Sequence, residues 1–160
     1  MSVGVLLVVL LVGCASNQVV LLPVGPAPDG LAGNDHMGFL QVFSATAKSP
    51  AIVSDDNAVF KIHSGYDIQD QSGQLLEFVP NHTSNMDESP DHVKLPIGIY
   101  KILAQSSCCG QVIVPVLIEE GKSTLVHLDR DWFPPGSIPT SRLVYLPDGE
   151  AVGWSGRVRE

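Results

Sequence analysis

Basic residues are scarce in this chain. Nine Lys and Arg stand against 17 Asp and Glu in 160 residues, giving a formal net charge of −8. The nine never gather into a patch. Nucleic-acid binding needs clustered positive charge, and so does adhesion of a protein surface to anionic lipid; the composition argues against both. Cysteine is rarer still, at Cys14, Cys108 and Cys109. Disulfides are not needed to staple the fold, because a chain of this length buries roughly two-thirds of its unfolded surface. Long apolar runs are missing: the leading one covers residues 3–12, well short of the roughly 20 that a bilayer-spanning helix needs. No stretch sustains the 3.6-residue period of an amphipathic helix. Metal-ligand spacing is missing as well. His36, His63, His82, His92 and His127 include no close pair, and no cysteine stands beside them. The acids at Asp55-Asp56, Asp87-Glu88-Asp91 and Asp129–Asp131 match no calcium loop. No metal or cofactor is expected.

What the chain has instead is a succession of short β-type runs separated by turn chemistry. Residues 39–46 form the first. Residues 58–63 alternate, with Phe60 and Ile62 on one side and Lys61 and His63 on the other. Residues 66–70 and 75–79 flank Gln71-Ser72-Gly73-Gln74, a hairpin whose glycine accepts a positive φ. Tyr66, Ile68, Leu76 and Phe78 are its expected core positions. Residues 81–91 are polar and read as a loop. Pro96 and Gly98 set a turn, after which Tyr100, Ile102 and Ala104 point inward and Lys101 outward. Residues 111–118 are apolar but contain Pro115, which lacks an N–H and so suggests a sheet edge or a bulge. After Glu119-Glu120-Gly121-Lys122, residues 123–128 supply another strand. In the tail, residues 143–146 and 151–154 bracket Pro147-Asp148-Gly149-Glu150 as a terminal hairpin. The expected class is all-β.

The first residues carry a different message. The apolar run of residues 3–12 leads into Leu11-Val12-Gly13-Cys14, which resembles the lipobox of bacterial lipoproteins position by position. Residues 1–13 are expected to be a signal peptide, although the usual positive segment before the apolar run is missing. The resemblance implies that Cys14 carries a diacylglycerol thioether and becomes the N-terminus of the mature protein. Two or more acyl chains, each contributing about 0.8 kcal/mol per buried methylene, hold a protein on a membrane permanently. Ser16 in the second position after the cysteine implies, by the same resemblance, outer-membrane sorting. Residues 14–37, rich in Pro and Gly, read as a tether, with residues 19–24 the part that alternatively adds to the sheet.

Residues 38–128 form the expected domain, with 129–160 as an extension. The segment Leu95-Pro96-Ile97-Gly98-Ile99-Tyr100-Lys101-Ile102, followed by a later Glu120-Gly121-Lys122-Ser123-Thr124 turn, resembles transthyretin-like domains, including carboxypeptidase regulatory-like modules. That resemblance implies a single Greek-key β-sandwich, close in architecture to immunoglobulin-like folds. It carries over no catalytic residue.

Candidate chemistry is sparse. Exported thiols meet an oxidising compartment; with Cys14 lipidated, Cys108 and Cys109 are left to form a vicinal disulfide, to pair with another chain or to stay free. Trp132 and Trp154, with Phe133, are candidate sugar-stacking aromatics, with docking of the tail on the core as the alternative. Gly121-Lys122-Ser123-Thr124 imitates a phosphate loop without its first glycine. Gly153-Trp154-Ser155-Gly156 is one residue short of a nucleophile elbow. The chain therefore reads as a non-enzymatic envelope lipoprotein with a structural or interaction role. The alternative is a module that binds carbohydrate or peptidoglycan. A thiol or hydrolytic enzyme comes third.

Lipidation gives the first test. Replacing Cys14 with Ala should abolish metabolic labelling with palmitate and leave a precursor that keeps its leader. Lipid label on the Ala variant would overturn the lipobox reading.

Overall fold

The computed structural model describes residues 18–28, 36–50, 59–84, 86–136 and 138–156. The expected signal peptide, residues 1–13, and Cys14 lie outside them. In chain order the strands are β1 Val19–Val20, β2 Val24–Gly25, β3 Met37–Phe43, β4 Thr46–Pro50, β5 Val59–His63, β6 Tyr66–Gln69 and β7 Leu75–Val79. There follow β8 His92–Pro96, β9 Gly98–Ser106, β10 Gly110–Ile118, β11 Ser123–His127, β12 Leu143–Tyr145 and β13 Ala151–Ser155. A single 3-10 turn, Thr140–Arg142, is the one helical element among the described residues. The protein is all-β.

Among the described residues, eight strands form one sheet in the order β12-β13-β2-β10-β9-β6-β7, with β1 also pairing with β10. A second sheet has the order β11-β3-β8, and β4 and β5 form a separate ribbon. The core lies between the two larger sheets. From the first come Val112, Val114, Val116 and Ile118 on β10, Ile102 and Ala104 on β9, and Tyr66 and Ile68 on β6; from the second come Leu40, Val42 and Val126. All of these are essentially sealed from solvent. The alternation along β10 is the two-residue period of a strand with one face on the core. The chain passes from sheet to sheet after β10, through a turn in which Gly121 adopts φ +63°. A side chain is strained at that angle, and glycine is not. The Gly121 N–H donates to the Met37 carbonyl at 2.8 Å, which ties the crossing to β3.

Several sequence expectations need correction. β10 is not at an edge: β9 pairs along one side of it, and β1 and β2 run parallel along the other. Pro115 is tolerated there because its partners on the second side are interrupted. β1 matches Val112 and Ile113, β2 matches Val116, and nothing is paired opposite Pro115 between them. The Ile113 carbonyl accepts from the Leu21 N–H on that side. The two-residue period turns the Pro115 backbone the same way, so its missing donor falls in the gap. The tether expected over residues 14–37 is likewise not free along residues 19–25. Leu21 and Val24 are buried and the segment pairs with β10; burial of apolar side chains outweighs the extended bias of the nearby prolines.

Exposure on β7 reverses another expectation. Leu76 and Phe78 were expected in the core, yet they are 53% and 59% exposed, and Leu75 is exposed too. β7 is the last strand of its sheet, and of its side chains only Val79 reaches the core. Tyr100 is half-buried, with its hydroxyl donating to the Pro96 carbonyl at 3.0 Å across the turn it follows. His63 is buried beside Ile62 instead of facing solvent.

Burial along β9 sets the stability prediction. Ile102 is fully buried, so Ile102→Ala should cost about 2–5 kcal/mol. Lys101→Ala should stay within about 0.5 kcal/mol. Urea titration of both variants checks the pair, and equal losses would mean that the faces of β9 are misassigned.

Candidate functional site

The tail hairpin joins the main sheet through β13, which lies antiparallel to β2, with Trp154 opposite Gly25 and Ser155 opposite Val24. The Gly156 N–H then donates to the Pro23 carbonyl at 2.8 Å. The two backbones run close because both sides carry glycine: a Cβ on Gly25 would sit 2.8 Å from the Gly156 Cα. Beyond this seam the chain turns through Pro26, Ala27 and Pro28, held by a bond from the Ala27 N–H to the Ser123 carbonyl. The 3-10 turn faces it from the other side, with the Arg142 N–H donating to the Pro139 carbonyl at 2.9 Å.

These pieces enclose a cleft of about 510 Å³, whose walls include Pro26, Pro28, Glu119, Lys122, Ser141, Arg142, Trp154 and Ser155. That volume suits a small ligand, since such pockets run from about 300 to 1,000 Å³. Its electrostatics are simple. Lys122 Nζ lies 2.7 Å from Glu119 Oε2, so those two charges cancel. Arg142 is exposed, and among the described residues its guanidinium meets no carboxylate. Among the described lining residues, Arg142 is then the one charge left unbalanced.

A second cluster lies around the end of β11. The His127 ring stacks between Phe43, at 4.4 Å, and Trp132, at 4.7 Å, and His63 meets Phe43 edge-on at 5.8 Å. His63 Nδ1 donates to the Ser44 carbonyl at 2.8 Å. Burial and the neighbouring His63 hold the His127 pKa down at about 4, while burial raises that of Asp129. Buried Asn81 organises the same region. Its amide donates to the Val42 and Ser64 carbonyls and to Ser44 Oγ, and its Oδ1 accepts from the Asp91 N–H. The loop of residues 81–91 is thereby pinned to β3.

The sequence candidates are scattered over this framework. Trp154 lines the cleft, but Trp132 stacks on His127 and Phe133 stands 79% exposed, so the three aromatics form no common platform. Residues that follow different strands end at different places on the sheets. Cys108 and Cys109 are bonded to each other in the turn between β9 and β10. Ser106 Oγ accepts from the Cys109 N–H at 3.1 Å and donates to the Gly110 carbonyl at 3.1 Å, bracing that turn. Lys122 of the phosphate-loop imitation lines the cleft, while Thr124 Oγ1 donates to the Leu117 carbonyl. Among the described residues, no three His, Cys, Asp or Glu side chains converge as for a metal ion.

Comparison with known proteins finds no matching family model, no matching curated protein and no matching solved structure. The site must therefore be argued from its own residues. Arg142 escaped the sequence reading, because Thr140-Ser141-Arg142 resembles any polar turn. Its isolation from acidic neighbours in the chain was the available signal. His127 and Asn81 escaped it because burial of a polar residue depends on partners distant in sequence.

The stack makes a pH prediction. A histidine whose pKa falls from 6.5 to about 4 on folding is neutral in the native state. Its contribution is present in full above pH 6.5 and is lost as pH falls towards 4; a shift of this size corresponds to about 3 kcal/mol. His127→Phe keeps the ring and removes the titration. Denaturant titrations at pH 7 and pH 4.5 should show a smaller acid loss for the variant than for the wild type.

Proposed function

We propose that this protein is a non-enzymatic, lipid-anchored binding module of the bacterial cell envelope, held at the outer membrane by Cys14. Its domain engages envelope glycan through the Trp154 cleft. The observation that carries this reading is the cleft itself: an aromatic side chain, serines and the Arg142 guanidinium, which meets no carboxylate among the described residues, on walls that include paired strands. Stacking of a ring face on an indole combined with a few polar anchors is how proteins hold sugars. The likeness of the Pro96-Gly98-Tyr100 turn to transthyretin-like modules supports a carrier or spacer scaffold, and the Greek-key connection belongs to the same proposal. A protein partner is the second reading. It is favoured by Leu75, Leu76 and Phe78, exposed on a strand whose outer edge is unpaired among the described residues.

Sedimentation with purified peptidoglycan sacculi, using the full chain in mild detergent, tests the two. Wild type and Leu76→Asp should pellet with the sacculi, and Trp154→Ala should bind at least tenfold more weakly while keeping a cooperative melt. Failure of the wild type to pellet overturns the glycan reading. Loss of crosslinking to an envelope protein in native envelopes by Leu76→Asp, and not by Trp154→Ala, would place the partner on β7.

A further inference from the structure

Resting on the glycan reading, we infer that the cleft selects a saccharide that carries one carboxylate, with Arg142 gripping the carboxylate and Trp154 stacking on the sugar ring. Arg130, Lys61 and Lys122 each meet a carboxylate of this chain, at Asp148, Asp131 and Glu119. Arg142 meets none among the described residues, although it sits at the mouth of a cleft in a chain of net charge −8. A guanidinium left unpaired beside an aromatic wall offers a planar fork of donors. A carboxylate fits that fork with two parallel hydrogen bonds.

The number of charges narrows the ligand further. Lys122 and Glu119 neutralise each other at 2.7 Å, so the described lining residues present a single net positive charge, that of Arg142. One carboxylate balances it. A phosphate carries nearly two charges at neutral pH and would leave the second unbalanced in a chain of net charge −8. The remaining walls suit a pyranose. Pro26, Ser141, Trp154 and Ser155 also line the cleft, so apolar and polar groups of the kinds a pyranose takes are both present. A free carboxylate without the ring would leave the indole unused.

Four probes separate the contributions, measured by calorimetry on the full chain in detergent: N-acetylmuramic acid, glucuronic acid, neutral N-acetylglucosamine and glucose 6-phosphate. N-acetylmuramic acid differs from N-acetylglucosamine by its lactyl ether, which brings the carboxylate, so the pair isolates the acid. Glucuronic acid asks whether the charge suffices without that ether. The expected result is tenfold or greater preference for at least one of the two acids over the neutral sugar, with the advantage shrinking as salt is raised. Arg142→Gln should reduce the affinity for the acid to that of the neutral sugar and leave the neutral sugar unchanged. Arg142→Lys should restore part of the preference, since it returns the charge but not the fork. Arg142 is exposed, so both variants should melt as the wild type does. Equal binding of acid and neutral sugars, or tighter binding of the phosphate, would overturn the inference while the glycan reading stands. Acid preference that survives Arg142→Gln would overturn the assignment to Arg142. Loss of sacculus binding by the wild type is the separate outcome that removes the glycan reading itself.

Discussion

The rest of the structure depends on β10 being paired on both sides. Its core-facing residues are buried, β9 zips along one edge, and the N-terminal segment covers the other. A strand in that position has little freedom to slip, because a one-residue shift would exchange its buried and outward faces. Pro115 fits only because the covering segment is broken into β1 and β2, with the gap where the missing N–H points. The same break lets the chain bend through Pro23, whose carbonyl receives the Gly156 N–H. One imperfection in a ladder thus determines where the tail is received.

From that seam the cleft follows. Its walls come from the N-terminal segment, the β10–β11 crossing, the 3-10 turn and the tail hairpin. Segments that look peripheral in the sequence therefore build the cleft, while the sandwich itself supplies rigidity. A hairpin alone is marginal in water, and docking of β13 on β2 makes it part of the sheet. The aromatic stack around His127 acts separately, fastening the start of the tail through Trp132. Both attachments hold the same extension, and neither brings Trp132 and Trp154 together.

Seen from this side, the expectation that Leu76 and Phe78 lie in the core failed for a definite reason. Alternation tells which residues share a face, and it did so here for Tyr66 and Ile68. It does not tell which face of the next strand lies beside them: the register sets Val79 opposite Tyr66 and Phe78 opposite Asp67, so Leu76 and Phe78 point away from the core. β7 ends its sheet, its outer edge is unpaired among the described residues, and Leu75, Leu76 and Phe78 stay in water while Val79 reaches the core.

What the sequence by itself determined is local. Gly73 and Gly121 mark their turns with positive φ, Ile102 and Ala104 alternate with Lys101, and the absence of a 3.6-residue period leaves strands as the repeating element. These features act within a few residues, through backbone sterics and side-chain direction, so they can be read in one dimension. Only the tertiary structure decided that Pro115 lies inside a sheet, that residues 19–25 join it, and that Arg142 and Trp154 face one cleft. Each of those depends on which distant segments meet. Pairing partners are selected by burial and hydrogen bonding over the whole chain, and that selection leaves no mark at the residues it brings together.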